Sequence, residues 1–458
     1  MNALRPGDAV RVTCVDLDDD GAATTARSPE AVRLHVAGAL PGERVAATIE
    51  HLSPHAREAW GRLDAVEAPS PARRPTACRA FGACGGCVLQ HLAYESQLDW
   101  KTERVRAAFA AQPTLEGVSV QPTVASPRTL GYRNRSKLVP ARVGGRFVLG
   151  AYARRSHQVV DLSGCAIAEP PLDDVATAMA ALFQRAGVTP YDEHSLTGDL
   201  RHVVLQRNHA GEVLAVWVTR RPLANGPALA REVRAERSEV VGVVEHVNAR
   251  SGNAIFDPNS PPMALDGATA LDEVLEVAGR PVHLRLSAGA FFQANRAVAG
   301  LAYAAIAEGL APRQGERVVD AYCGVGGIAL TLARSADEVI GIEFHGGAVE
   351  DGRAAAVRAG LRNVELRAGD AAAELATIRR ADLIVLNPPR KGCAPDVLDQ
   401  VARLAPRAVA YLSCNPDTLA RDLALLAARG YRVTRVTPFD MLPHTPHIEA
   451  LALLERTA

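Results

Sequence analysis

Apolar and polar positions alternate in short runs over residues 1–62: "DAVRVTCVDL", "EAVRLHVAGAL" and "ERVAATIEHL", broken by Asp18-Asp19-Asp20-Gly21 and by Pro41-Gly42. Short strands with turn signals at regular spacing predict a small β-barrel. The Pro-, Ala- and Arg-rich stretch "EAPSPARRPTAC" (67–78) reads as a linker, and a helix is expected from about Tyr94 to Ala111. Residues 125–275 alternate strand-like runs ("HVVLQR", "EVLAVWVT", "VVGVVEHVNA") with turns, which predicts an α+β middle domain. From about Gly289 strands and helices alternate regularly: "RVVDAYCG", a helix through Ala333, "EVIGIE", a helix over 346–359, then "ADLIVLNPP". That rhythm means βαβ units and a parallel sheet. The chain carries no internal repeat and no low-complexity tract.

Composition narrows the class. A length of 458 residues predicts two or three domains, and 48% apolar with 22% charged residues excludes extensive disorder. No apolar stretch is long enough to span a bilayer, and Met1-Asn2-Ala3-Leu4-Arg5-Pro6 lacks the apolar run of a signal peptide. A soluble, cytoplasmic protein is expected, with a monomer as the default because no oligomerisation surface is evident. The formal net charge of zero argues against non-specific coating of nucleic acid but leaves room for a local basic face.

The C-terminal half carries cofactor signals. In "VVDAYCGVGGIAL" (318–330) Gly324, Gly326 and Gly327 allow a tight turn and close approach to a ligand. Glu343 ends the next strand, where an acid can accept hydrogen bonds from both ribose hydroxyls, and Asp370 follows one strand later. Either acid alone reads as a solvated loop residue; three sites in register at successive strand ends point to an adenosine. The turn lacks the G-x-G-x-x-G form of NAD sites, and Asp320 before it favours S-adenosylmethionine. Asn387-Pro388-Pro389-Arg390 ends the fourth strand in a rigid turn. Asn-Pro-Pro is also found in amino-group methyltransferases, which carry an aromatic residue where this chain has Arg390.

Cysteines supply the candidate chemistry. Cys414, in "AYLSCNPDTL" (410–419), ends a short apolar strand at the sheet edge where α/β enzymes place their reactive groups; the alternative is a small buried hydrophobe. Cys78, Cys84 and Cys87 crowd "CRAFGACGGC", and Cys165 follows in "DLSGCAIAEP". Four thiolates suit tetrahedral zinc or an iron–sulfur cluster equally by spacing. His444, His447 and Glu449 lie in "PFDMLPHTPHIEALALLE" (438–455), whose proline and following strand do not fit a helical zinc motif, so Glu449 reads as a pocket general base.

Taken in order, "SAGAFFQAN", "DAYCGVGG", "NPPRKG", "YLSCNPDTLARDL" and "PHTPHIEALALL" resemble the motifs of the RNA 5-methyluridine methyltransferase family, and "LPGERV" and "GYRNRSKL" extend the resemblance over essentially the full chain. It implies an α/β fold: a Rossmann-like class I S-adenosylmethionine methyltransferase domain (276–458), an N-terminal OB-like TRAM barrel (1–66) that binds RNA, and a central α+β domain (67–275) carrying an iron–sulfur cluster. The helix at about 94–111 is a candidate to pack on the catalytic domain. The resemblance further implies that Cys414 is the nucleophile and Glu449 the base. Gln293, Tyr322, Glu343, Asp370 and Asn387 would hold S-adenosyl-L-methionine, and Cys78, Cys84, Cys87 and Cys165 would hold a [4Fe–4S] cluster. The family usually has aspartate where this chain has Asn387, so a negative charge beside the sulfonium is lost. Tyr132, Arg133, Arg135 and Lys137 are expected to hold phosphates and stack on a flipped base. Barrel plus cluster favour 23S rRNA over tRNA as the implied substrate. An amino-methyltransferase using Asn387 and a non-catalytic RNA-binding iron–sulfur protein are the alternatives.

Overall fold

The computed structural model describes residues 4–28, 31–252 and 254–457; Met1–Ala3 at the start of the expected barrel, and Glu30, which opens its second strand run, lie outside the described residues. The N-terminal segment forms a six-stranded sheet of Ala9–Thr13, Asp16–Leu17, Ala23–Thr24, Arg33–Ala37, Arg44–Leu52 and Glu58–Ala68. Residues 9–17 form one of its edges with Arg44–Thr48 and then pair with Ala23–Thr24 at the other, so the sheet curls round on itself. Alternation along Arg44–Leu52 sends Val45, Ala47 and Ile49 inward, each at most 1% exposed. Leu89 and Leu92, from the segment after the cysteines, complete the same core.

The middle sheet has seven strands, ordered Met263–Gly267, Val240–Val247, Val213–Thr219, Leu200–Arg207, Arg135–Val143, Arg146–Tyr152, Val159–Asp161. Val213–Thr219 is buried at every position, as a continuous apolar run in a central strand requires. Helices Leu172–Arg185 and Gly226–Glu236 cover it.

A hairpin, Ala270–Val277 with Arg280–Ser287, packs into the core of the C-terminal sheet through Leu271, Leu275, Val282, Leu284 and Leu286. Its first strand runs through residues 275 and 276, between which the sequence reading set a domain junction.

The C-terminal sheet is ordered Val364–Ala368, Glu338–Glu343, Arg317–Ala321, Leu383–Leu386, Ala408–Ser413, Glu449–Arg456, Tyr431–Phe439. The first five strands are parallel and the last two antiparallel. An apolar layer covers each face. The helix Tyr94–Ala110 belongs to one of them: Val105, Ala108 and Phe109 pack with Leu419, Leu423 and Val436. Burying side chains of the size of Val105 and Phe109 contributes about 1.5–3 kcal/mol each, enough to dock this helix on the sheet although 200 residues of chain intervene, roughly, before the sheet begins.

Candidate active site

The strand order reverses at Arg317–Ala321, whose neighbours are Glu338–Glu343 on one side and Leu383–Leu386 on the other. A crevice opens beyond the carboxyl ends of strands at such a switch point. Four of the five expected cofactor residues stand there: Tyr322, Glu343 and Asn387 at strand ends, and Asp370 two residues past Ala368. Tyr322 adopts φ 66°, a left-handed conformation that costs a non-glycine residue energy and that clusters at functional sites. Gly326 continues the turn at φ 85°, and a Cβ on Gly327 would stand 2.8 Å from the Tyr303 ring, so position 327 admits no side chain without displacing that ring.

Glu343 is oriented by backbone amides. Its Oε2 accepts from Gly324 N at 3.0 Å and its Oε1 from His345 N at 2.9 Å, leaving a lone pair on each oxygen for a diol. Asp370 caps the helix Ala371–Thr377 through Oδ1, which accepts from the amides of Ala372 (3.0 Å) and Ala373 (3.1 Å). Gln293 lies apart from the strand ends in sequence, buried in the segment before the helix Arg296–Leu310, and its carbonyl accepts from Asn134 Nδ2 at 3.0 Å.

Asp320 has a larger part than a turn marker. Wholly buried beneath the glycine turn, neither of its oxygens has a well-formed partner; burial pushes its carboxyl up to about 8, with the Ala329 amide as a weak opposing donor. It therefore brings no full negative charge to the crevice at neutral pH, and Asn387 brings none either.

The expected nucleophile and base come from the adjacent strands. Ala408–Ser413 and Glu449–Arg456 pair antiparallel from Ala408↔Glu455 to Ser413↔Ala450; Cys414 follows the last pair, within reach of the Glu449 charge. Glu449 is 6% exposed, and burial pushes its carboxyl up to about 8. Cys414 is exposed at the edge. Crowding by protein atoms and the Glu449 carboxylate raise its thiol, while the Arg390 guanidinium pulls it down. Asn415 caps the helix Pro416–Ala427 and donates from Nδ2 to the Arg390 carbonyl at 3.4 Å; Thr418 Oγ1 donates to the same carbonyl at 3.2 Å. The Asn387–Arg390 turn and the Cys414 turn are thus bolted together. Sequence reading treated Arg390 only as a mismatch to the amino-methyltransferase pattern; its place beside Cys414 comes from contacts across 24 residues of chain, which no local signal carries.

The four expected cluster cysteines come to one place. Cys78, Cys84, Cys87 and Cys165 line a cavity of about 1040 Å³, which Arg390, Pro446 and His447 close at the catalytic side. All four are free and half-buried. Burial raises the thiols of Cys84 and Cys87, the latter to about 12, and each is raised further by the charges of the other cysteines. Among the described residues no three His, Cys, Asp or Glu side chains converge on a single metal-ion position, so the cysteines share a wall without closing into a ligand set.

The expected RNA-binding role of "GYRNRSKL" is corrected for two residues. Tyr132 is 2% exposed and donates its hydroxyl to the Pro443 carbonyl at 3.1 Å, so it has no free face for a base. Arg135 is 7% exposed and donates to the Ala290 carbonyl at 2.7 Å. Both hold segments together through these contacts: Tyr132 in the stretch before the strand Arg135–Val143, and Arg135 at its first residue. Arg133 and Lys137, one position either side of Arg135's neighbours, do line the cavity.

No helix among the described residues is long and apolar enough to cross a membrane.

Comparison with known proteins places these features in a family. Residues 263–457 match the profile of the family described as tRNA (Uracil-5-)-methyltransferase. An uncharacterized RNA methyltransferase of Geobacter sulfurreducens is 38% identical over 457 residues, spanning 98% of this chain and 90% of its own. One from Gloeobacter violaceus is 36% identical over 460 residues, spanning 99% and 98%. The fold is similar to that of the Pyrococcus abyssi tRNA (uracil-54, C5)-methyltransferase solved in complex with S-adenosyl-L-homocysteine, with a TM-score of 0.77 and 23% identity over 97% of this chain and 100% of that one. With this family match and relatives spanning nearly the whole chain at 36–38% identity, the chain belongs to the RNA (uracil-5-)-methyltransferase family.

Proposed function

We propose that the protein methylates C5 of uridine in RNA with Cys414 as nucleophile and Glu449 as base. The observation that carries this reading is that Cys414 directly follows the last ladder pair, Ser413↔Ala450, beside which Glu449 begins its strand and acts on the thiol, one strand away from the crevice of Tyr322, Glu343 and Asn387. Uracil C5 is a weak nucleophile. Addition of the Cys414 thiolate to C6 forms a C–S bond and moves the electron pair toward C5 and O4. S-adenosylmethionine, when bound, supplies the electrophilic methyl that C5 takes up. Glu449 then removes the C5 proton; the returning electron pair restores the C5–C6 double bond and expels the thiolate. A carboxylate pushed up to about 8 by burial is a stronger base than an ordinary one, and Arg390 favours the thiolate. Gln293, Tyr322, Glu343, Asp370 and Asn387 are assigned to the cofactor, Glu343 to its ribose.

Cys78, Cys84, Cys87 and Cys165 are assigned to a [4Fe–4S] cluster. The support is that all four line one cavity, and that the thiols of Cys84 and Cys87, raised by burial and by the neighbouring cysteines, would be relieved by a cationic core. Methyl transfer needs no redox step, so the cluster is assigned a structural role. The N-terminal curled sheet is assigned as a TRAM-type RNA-binding module, and Arg133, Lys137 and Arg390 as phosphate contacts along the cavity.

We take 23S rRNA as the first substrate. A second reading, tRNA, is favoured by a specific observation: the Pyrococcus abyssi enzyme of matching full-length fold is a tRNA methyltransferase. Incubation of anaerobically purified protein with S-adenosylmethionine and unmodified 23S rRNA or tRNA, followed by nucleoside mass spectrometry, tests both. New 5-methyluridine in one RNA settles reaction and substrate class. Methyladenosine or methylguanosine instead would mean that Asn387 sets the chemistry and that the roles of Cys414 and Glu449 are wrong.

A further inference from the structure

Nine residues, 440–448, join the last two strands, and Glu449 begins the second of them. This loop is held by groups far away in sequence. Lys101 Nζ donates to Asp440 Oδ1 at 2.5 Å and to the Leu442 carbonyl at 3.3 Å, and both charged side chains are completely inaccessible to solvent. Gln97, one turn earlier on the same helix, accepts from His444 N at 2.9 Å through Oε1. Its Nε2 reaches the carbonyls of Leu92 (2.7 Å) and Leu89 (3.1 Å) and lies 3.2 Å from His444 Nδ1. Leu89 N donates to the His444 carbonyl at 2.9 Å, and His444 sits at φ 67°. The far end of the loop carries His447 on the cavity wall and then Glu449.

A buried ion pair is a weak device for stability, because desolvating two charges offsets most of their attraction; well-packed apolar residues serve a fold as well or better. What such a pair does is fix a position. Proton abstraction demands this, since a misplacement of about 1 Å at a reacting group lowers rates by about 10²-fold. From this geometry we propose that Lys101 and Gln97 are positioning residues: they set the 440–448 loop so that Glu449 meets the C5 proton after Cys414 has added to C6. The inference rests on the reading of Glu449 as base.

The test uses the full chain, S-adenosylmethionine and in vitro transcribed 23S rRNA and tRNA. Covalent protein–RNA adduct is followed on denaturing gels, 5-methyluridine by turnover, and thermal unfolding in parallel. Glu449→Gln is expected to form the adduct and fail to release it. Lys101→Met and Gln97→Ala are expected to form the adduct at the wild-type rate but release it about tenfold more slowly, so that adduct accumulates while kcat falls and KM for RNA holds, a fraction of the ~10²–10⁴ that a general base contributes. If Lys101→Met does not fold, Gln97→Ala, which buries no unpaired charge, decides. Folded variants that release adduct at the wild-type rate, or that lose adduct formation and release in equal proportion, overturn the proposal while Glu449→Gln still traps. Release by Glu449→Gln at the wild-type rate overturns the base assignment itself, and the inference with it.

Discussion

Cys414 immediately follows one strand and Glu449 begins its neighbour, and a backbone ladder from Ala408↔Glu455 to Ser413↔Ala450 runs up to both. Cys78, Cys84 and Cys87 stand on a segment without helix or strand, tied to the end of a middle-sheet strand by the bridge Cys84↔Ala153 and the Gly85 N to Tyr152 carbonyl bond, and Cys165 stands on another turn. The first site is organised by hydrogen bonds that need no ligand. At the second, burial and the neighbouring cysteines raise the thiols of Cys84 and Cys87, a penalty that the proposed cluster would relieve. The difference predicts a catalytic pair insensitive to cofactor loading and a cysteine wall whose order depends on it.

The sharpest way to break the comparison is at the nucleophile. Cys414→Ala is expected to lower turnover by roughly a thousandfold or more while leaving the unfolding temperature unchanged, because the side chain is exposed and makes no core contact. A loss of fold instead would mean that the sheet edge, too, depends on its side chains.

Glu449 offers the next test, through pH. Its folded carboxyl is raised to about 8 from an ordinary 4.5, and the Cys414 thiol is raised as well. Both must lose a proton to act, so kcat/KM should rise with pH from 6 to about 8, with a log–log slope between one and two; a flat profile would contradict the assignment. Stability runs the opposite way. Between pH 4.5 and 8 the folded state holds a proton that the unfolded chain releases, so the protonated carboxyl stabilises the fold fully below 4.5, and this contribution fades as pH climbs to about 8. Glu449→Gln, permanently neutral, should therefore unfold at a higher temperature than the wild type at pH 8 and lose that advantage near pH 4.5, as calorimetry at the two pH values would register.

At the cysteine wall, Cys84→Ser is expected to give colourless protein that unfolds at least ~5 °C lower, the shift that about 2 kcal/mol produces in a domain of 150–250 residues. Brown, cluster-replete protein from that variant would sink the ligand assignment. The smallest effect is expected at Asn387. With Asp320 protonated at neutral pH, Asn387→Asp adds the one missing negative charge near the sulfonium and should tighten S-adenosylmethionine binding about fivefold by calorimetric titration, roughly 1 kcal/mol between partly screened charges.

Local pattern was enough for most of the C-terminal sheet. Apolar runs of four to six residues, each followed by glycine, proline or an acid, mark the strands that end at Tyr322, Glu343 and Asn387, because a strand's signature and its stop signal are both short-range. The helix 94–110 was legible for the same reason, but its place on the sheet was not: its apolar side says that it packs, not on what.

Burial corrected the reading where residue type was the guide. Tyr132 and Arg135 look like RNA contacts by chemistry, yet both are buried and hydrogen-bonded to the carbonyls of Pro443 and Ala290, more than 150 residues away, which no local pattern announces. Arg390, Lys101 and Gln97 show the converse. Nothing near them in the chain distinguishes them from surface residues, and the contacts that give them work are made only on folding.

By itself, then, the amino-acid order determined the class of fold, the order of strands and turns and the kinds of chemistry available, since propensity, period and motif act within a dozen residues or so. Tertiary structure alone decided that Cys414 lies within reach of the Glu449 charge, that four cysteines from two segments share one cavity, and that a lysine near residue 100 is buried against an aspartate near 440. Those are distances between remote segments, and only the packing of apolar faces brings such segments together.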